Sequence, residues 1–170
     1  MAFSPKFRGV NHISVTVRDM EKSLTFYRDM VGLKVKADLP VTEKPRPPKE
    51  YRQQHKKRRT VVLSTGGGPD IALIGHPGSR LLGTGILLDD VGITHLALEV
   101  ENLKGFVEHM RKLGVEEAGP GFFMDPDGIL VQFEEPGEAA RILEGHRQRS
   151  AEEAKAAGAV KASARTKSRR

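Results

Sequence analysis

The sequence contains no cysteine among its 170 residues, and aromatic residues make up only 5% of it. Without cysteine the protein has no disulfide scaffold, no thiolate metal site and no cysteine nucleophile. No apolar run reaches the length that crosses a bilayer, and residues 1–9 lack the apolar core of a signal peptide. We therefore expect a soluble cytoplasmic protein that makes no contact with membranes.

Positive charge is concentrated in the C-terminal tail. Residues 1–145 contain 20 basic and 20 acidic residues, whereas residues 146–170 contain 8 basic and 2 acidic residues and so carry the whole net charge of +6. The tail has no aromatic residue, and we expect it to be disordered apart from a frayed helix over residues 150–157. Two roles stay open for it, a solubilising extension and a weak contact with nucleic acid.

The rest of the chain contains a repeat. Residues 11–17 (NHISVTV) and 94–100 (THLALEV) both have histidine at the second position, His12 and His95, followed by alternating apolar and more polar residues. A period of two over this length predicts a strand with one apolar face. Each histidine lies on the other, more polar face of its strand.

A helix is predicted directly after each of these strands. Asp19 and Asn102 are suitable N-caps, and Gly32 and Gly114 stand where each helix ends in a left-handed cap. Between them apolar residues recur at helical spacing. These are Met20, Leu24, Tyr27 and Val31 in the first copy, and Leu103, Phe106, Val107, Met110 and Leu113 in the second.

Both copies continue with three further strands, so each is a strand–helix–strand–strand–strand module. The first module spans residues 7–75 and the second residues 91–137, with a glycine-containing linker over 76–90. Asp125 and Asp127 belong to a predicted hairpin turn, DPDG, rather than to a catalytic site. The predicted later strands are residues 33–39, 60–64 and 71–74, then a short piece near 115, 122–124 and 129–134.

The first module also contains a basic, proline-rich insertion over residues 42–59, for which two interpretations stay open. Between Glu43 and Arg59 there are 8 basic and 2 acidic residues. The segment is either a solvated loop or a lid whose positive charge attracts an anionic substrate.

Paired modules that each open with a histidine on the helix-free face resemble the vicinal oxygen chelate superfamily of glyoxalases, extradiol dioxygenases, methylmalonyl-CoA epimerases and bleomycin- and fosfomycin-resistance proteins. The resemblance covers roughly residues 7–137 and is strongest in the first strand and helix, including SLTFY at 23–27, and in GITHLAL at 92–98. It implies an α+β fold in which two βαβββ modules form an eight-stranded, incompletely closed barrel. Its concave side would hold a divalent metal (Fe, Mn, Ni, Co or Zn) that a substrate chelates through neighbouring oxygens.

The resemblance also implies a ligand set. In the family the ligands are the histidine that opens each module and a residue, often Glu, in each module's last strand; here these positions are His12, His95, Ala72 and Gln132. Alanine cannot ligate a metal, and glutamine offers only a neutral amide oxygen, although it is a ligand in some glyoxalases and epimerases of this superfamily. His12, His95 and Gln132 are therefore the metal ligands that the resemblance implies.

Several ways of completing the site remain open: water could fill the Ala72 position, a nearby inward carboxylate (Asp70, Glu99 or Glu134) could act as a ligand, or an anionic substrate could supply the missing negative charge. Glu99 and Glu134 are the candidates for catalytic proton transfer, because they share strand parity with His95 and Gln132.

The resemblance therefore implies a metal-dependent lyase, isomerase or ring-cleaving dioxygenase acting on a small substrate, and the missing ligand charge and the basic insertion favour an anionic one. The alternative is a metal-free binding protein of the bleomycin-resistance type, which the alanine at position 72 favours. The family resemblance also implies a homodimer.

Overall fold

The computed structural model describes residues 6–43 and 55–167. Two copies of one strand–helix–three-strand order follow each other, and a third helix comes last. The elements are β1 (His12–Val17), α1 (Met20–Leu24), a π-helical turn (Thr25–Met30), β2 (Lys34–Glu43), β3 (Lys57–Ser64), β4 (Asp70–Gly75), β5 (His95–Glu99), α2 (Leu103–Lys112), β6 (Glu117–Gly119), β7 (Phe122–Met124), β8 (Leu130–Glu134) and α3 (Glu138–Lys167).

The two four-stranded sheets have equivalent strand orders, β1-β4-β3-β2 and β5-β8-β7-β6. In each sheet the histidine-bearing strand pairs in parallel with the last strand of its module, and the remaining pairs are antiparallel. The sheets do not join into a closed barrel. The predicted α+β fold, with paired βαβββ modules and an incompletely closed barrel, is thereby confirmed.

Apolar residues on one face of each sheet form a core that includes both modules. In β1, Val15 and Val17 are buried while the alternate residues are exposed, as the period of two predicts. The core also contains residues from α1, the π-helical turn, α2 and the central strands. Its largest fully buried members are Tyr27, Phe123, Leu63, Ile71, Leu73 and Met110.

Both predicted N-caps are present. Oδ1 of Asp19 accepts hydrogen bonds from the backbone N–H groups of Glu21 and Lys22, at 3.1 and 3.2 Å. The side chain of Asn102 accepts from the N–H of Gly105 at 3.1 Å, although Asn102 itself has a left-handed backbone, with φ 57°. The helix-terminal glycines at 32 and 114 have φ values of 90° and 79°, as expected for left-handed caps.

The first predicted helix is not α-helical throughout. After Leu24 the chain turns as a π-helix, in which the N–H of Val31 donates to the carbonyl of Phe26 at 2.9 Å. The wider turn lets the sequence neighbours Phe26 and Tyr27 both face the core, and their rings meet edge to face with centroids 5.0 Å apart. Apolar spacing alone does not reveal this extra residue per turn.

Strand lengths differ between the modules more than the sequence predicted. β2 and β3 have 10 and 8 residues, while β6 and β7 have 3 each. The outer parts of the basic insertion therefore belong to strands, and its residues 44–54 lie outside the described part of the chain. No regular element forms over the predicted linker, 76–90.

The C-terminal tail differs from its predicted disorder. Residues 138–167 form α3, which includes the predicted frayed helix at 150–157, because alanine, lysine, arginine and glutamate have high helix propensity. Through residues 146–153 its side chains are exposed. Across residues 6–43 and 55–167, no helix combines the length and apolar character that membrane crossing requires.

Candidate functional site

The predicted site residues lie on the helix-free faces of the two sheets. In the first sheet His12 pairs with Asp70, and Ser14 pairs with Ala72, so that all four residues share one face. The other face packs under α1, since a Cβ at Gly75 would meet the Met20 side chain at 3.3 Å. Alternation therefore directs His12 away from the helix.

The second sheet repeats this arrangement with a different set of side chains. His95 pairs with Leu130, Ala97 with Gln132, and Glu99 with Glu134. His95, Gln132, Glu99 and Glu134 thus share the helix-free face of the second sheet. The predicted correspondence of Ala72 with Gln132 agrees with the register, because each lies opposite the residue two positions after its module's histidine.

Each of the two histidines is oriented by the side chain that precedes it. Nδ1 of His12 donates to Oδ1 of Asn11 at 2.9 Å, which leaves Nε2 as the free lone-pair position of the ring. Oγ1 of Thr94 lies 3.0 Å from Nδ1 of His95. Metal-ligating histidines are commonly held in this way, with one ring nitrogen bonded to the protein and the other available to the ion.

The carboxylates near these histidines are mostly engaged. Asp70, which could have replaced the missing ligand at Ala72, forms an ion pair with Lys36 at 2.7 Å. Oε1 of Glu99 accepts from the backbone N–H of Gly137 at 2.9 Å. Within residues 6–43 and 55–167, no three His, Asp or Glu side chains form a group that could hold a metal ion.

The donor chemistry therefore fits a divalent ion only in a restricted way. Two neutral imidazoles and the Gln132 amide oxygen are acceptable ligands, whereas Ala72, 5% exposed, contributes none. The residues present would leave the ion's charge uncompensated. By donor chemistry alone they suit an ion whose charge is balanced by an anionic substrate with two donor oxygens, whereas in the structure His95 and Gln132 line different cavities.

Two cavities contain four of the five predicted residues. A cavity of about 640 Å³, which we call the seam cavity, lies between the modules and includes His95 and Glu99. A cavity of about 400 Å³ beside α2 includes Gln132 and Glu134, and His12 lines neither of the two. The first module contributes to the seam cavity Ile13, Val31, Leu33, Thr65, Gly67, Gly68, Pro69 and Ile71.

Sequence reasoning missed a buried polar pair between the modules. The Tyr27 hydroxyl donates to Oδ2 of Asp125 at 3.0 Å, and the two residues are 0% and 5% exposed. Burial raises the pKa of both groups above their usual values, and the Asp125 charge raises that of Tyr27 further. The sequence predicts Tyr27 only as a core aromatic and Asp125 only as a turn residue, because no local pattern links positions 98 residues apart.

Comparisons with known proteins agree with this architecture. The sequence profile of the Glyoxalase/Bleomycin resistance protein/Dioxygenase superfamily matches residues 9–133. Methylmalonyl-CoA epimerase, mitochondrial, of Mus musculus is 27% identical over 145 residues, which are 76% of this chain and 74% of that protein.

Solved structures resemble the fold at lower identity. A glyoxalase-family protein from Bacillus cereus superposes with a TM-score of 0.67 at 16% identity, over 79% of this chain and 98% of its own. An antibiotic-binding protein from Streptomyces sp. CB03234 gives a TM-score of 0.50 at 23% identity, over 80% of this chain and 98% of its own. The profile match covers well over half of the sequence, and the chain therefore belongs to the glyoxalase/bleomycin resistance protein/dioxygenase, or vicinal oxygen chelate, superfamily.

Proposed function

We propose that the protein is a metal-dependent lyase, isomerase or ring-cleaving dioxygenase whose small substrate chelates a divalent ion through neighbouring oxygens. The observation that carries this proposal is the matched pair of anchored imidazoles. His12 and His95 occupy equivalent positions of the repeat, and each has its Nδ1 next to an oxygen of the preceding side chain. Such second contacts are typical of ligand histidines.

His12, His95 and Gln132 would hold the ion. A bound divalent ion would act as a Lewis acid that polarises the substrate's oxygens. Because the three protein ligands are neutral, an anionic substrate would supply the balancing charge. The protein should therefore bind neutral analogues of the substrate more weakly than the anionic substrate.

Glu99 and Glu134 are the proposed acid–base groups. They are register partners on neighbouring parallel strands, so that two carboxylates share the face that carries His95 and Gln132. One carboxylate would take the proton from the carbon beside the substrate carbonyl, and the electron pair of the broken C–H bond would remain with the substrate. Return of a proton from either carboxylate would complete an isomerisation. The similarity to an epimerase favours this reaction within the proposed class.

Metal content and solvent hydrogen exchange test the proposal together. Protein purified without a metal-binding tag should contain a stoichiometric divalent metal, and His12→Ala should remove it. With racemic methylmalonyl-CoA in D₂O, NMR should detect exchange of the α-hydrogen, which Glu134→Gln should slow by roughly 10²-fold or more. His146→Ala, a change of an exposed histidine on α3, is the matched control and should leave both measurements unchanged.

A metal-free binding protein is the second candidate, favoured by Ala72 and by the Lys36–Asp70 ion pair, which occupies the nearest alternative carboxylate. The seam cavity, with its apolar side chains from both modules, is of a size that suits a small molecule. Absence of stoichiometric metal, together with equal ligand affinity of the wild type and the His12→Ala/His95→Ala double variant, would support this candidate and contradict the enzyme.

A further inference from the structure

A second polar region lies on the helix-free face of the first sheet, at the end remote from His12. The neighbouring residues Arg58 and Arg59 point to opposite faces of β3. The guanidinium of Arg59 bonds to Glu21 of α1 at 2.6 Å and to Asp38 at 2.8 Å, on the helix side. Nε of Arg58 instead donates to Oγ1 of Thr60 at 3.0 Å, which places Arg58 on the helix-free face.

Arg58 and Arg59 also differ in their charge partners. Arg59 is neutralised by two carboxylates, whereas among the residues that the structure describes no carboxylate forms an ion pair with Arg58. Thr60, its hydrogen-bond acceptor, is only 9% exposed, and Arg58 is half-buried. The bond to Thr60 uses Nε, so the two terminal nitrogens of the guanidinium remain as a pair of donors.

His76 adds a further donor beside Arg58. The antiparallel register of β3 and β4 ends with Arg59 opposite Gly75, and His76 follows Gly75 directly, after the end of β4. Nδ1 of His76 donates to the carbonyl of Lys57 at 2.8 Å, which fixes the ring and leaves Nε2 for another partner. Lys57 directly precedes Arg58 in β3, so this hydrogen bond holds the His76 ring next to the strand segment that carries Arg58.

We propose that Arg58, Thr60 and His76 form a binding site for an oxyanion, a phosphate or carboxylate group of the ligand. The fork of a guanidinium matches two oxygens of such a group, and partial burial strengthens the interaction relative to water.

The position of this site implies an elongated ligand. His12 is opposite Asp70, and His76 follows Asp70 by six residues, directly after β4 ends at Gly75. At about 3.3 Å per residue, the oxyanion site lies roughly 20 Å along the strand direction from the level of His12. The inference rests on the proposed function only in identifying this ligand as the substrate, because the anion site itself requires neither metal nor catalysis.

The test measures anion binding to the full chain by NMR, at constant ionic strength with chloride as the balancing salt. Inorganic phosphate should shift the Arg58 side-chain and His76 ring signals saturably, and Arg58→Gln should weaken this binding at least tenfold. Lys56→Gln removes the same charge from an exposed residue two positions away and should change the affinity less than twofold. Acetate, titrated in the same way, distinguishes a carboxylate site from a phosphate site by whichever anion binds more tightly.

Folding of each variant is checked by its backbone amide spectrum, and His76→Gln serves as the second variant if Arg58→Gln does not fold. Linear shifts without saturation for both anions, or equal weakening by Lys56→Gln and Arg58→Gln, would overturn the proposal. Neither result bears on metal content or hydrogen exchange, so failure of the anion site is distinguishable from failure of the proposed enzyme.

Discussion

Asp125 illustrates how one residue in a turn can join two modules. Its Oδ1 accepts from the backbone N–H groups of Asp127 and Ile129, each at 2.8 Å, while its Oδ2 accepts from the Tyr27 hydroxyl. The first pair of bonds shapes the turn between β7 and β8, and the last one reaches the other module. Burial raises the pKa of Asp125 even though all three hydrogen bonds oppose that shift.

This raised pKa predicts how stability depends on pH. Asp125 binds a proton more tightly in the folded protein than in the unfolded chain, where its ordinary pKa is 3.8. The resulting stabilisation is complete below that pKa and is lost as the pH rises through the folded-state pKa. The free energy of unfolding of the wild type minus that of Asp125→Asn, from urea titrations, should therefore fall as the pH rises above the ordinary aspartate pKa of 3.8.

Asp29 is the control for the sign of this effect. A hydrogen bond from Arg28 lowers the pKa of Asp29, so any stabilisation from that residue is present above the unfolded-state pKa and is lost on acidification. The group is exposed, and the difference between wild type and Asp29→Asn should be nearly flat. A difference for Asp125→Asn that is flat, or that grows with pH, would contradict the assigned burial effect.

Among the secondary-structure elements, the two N-caps offer an internal comparison of backbone strain. Asp19 has an ordinary extended backbone, with φ −128° and ψ 105°, whereas Asn102 is left-handed, with φ 57° and ψ 62°. Asparagine tolerates that conformation, alanine does so at a cost, and glycine does so freely.

Replacement of each cap by alanine and by glycine should separate the lost hydrogen bond from the strain. Removal of the cap costs about 0.5–2 kcal/mol for alanine and only a few tenths for glycine at an ordinary site. At position 102 the left-handed backbone adds about 1–2 kcal/mol for alanine alone. Urea unfolding should therefore show a larger alanine-to-glycine gap at Asn102 than at Asp19, and equal gaps would contradict the strain argument.

The elements differ in how well the sequence predicted them. The alternation over residues 11–17 and 94–100 predicted β1 and β5, because one face of each strand packs against the core. The caps and helix-terminal glycines set the helix ends for local reasons. No local sequence pattern predicts that β2 is long or that β6 and β7 are short. The length of a strand depends on how much backbone of the neighbouring strand is available for hydrogen bonding.

At the scale of the whole molecule, local sequence patterns do not predict the contacts between the two modules. Arg18 forms an ion pair with Asp127 at 2.8 Å, and the His109 ring donates to the Met30 carbonyl at 3.1 Å, in addition to the Tyr27 bond. The face occupied by each candidate site residue followed from alternation within a strand. The distance and orientation between the strand faces that carry His12 and His95 depend on how the two sheets pack against each other. An alignment of the two repeats does not contain that information.

A core shared by both modules predicts that they unfold together. Leu63 of β3 is 0% exposed and belongs to the same apolar cluster as Phe123 and Phe133 of the second module. Leu63→Ala should lower the free energy of unfolding by about 2–5 kcal/mol. Because the cluster is continuous, amide signals of both modules should lose intensity at one reduced urea concentration. A midpoint that falls for first-module signals but stays at the wild-type value for second-module signals would mean that the modules are separate folding units.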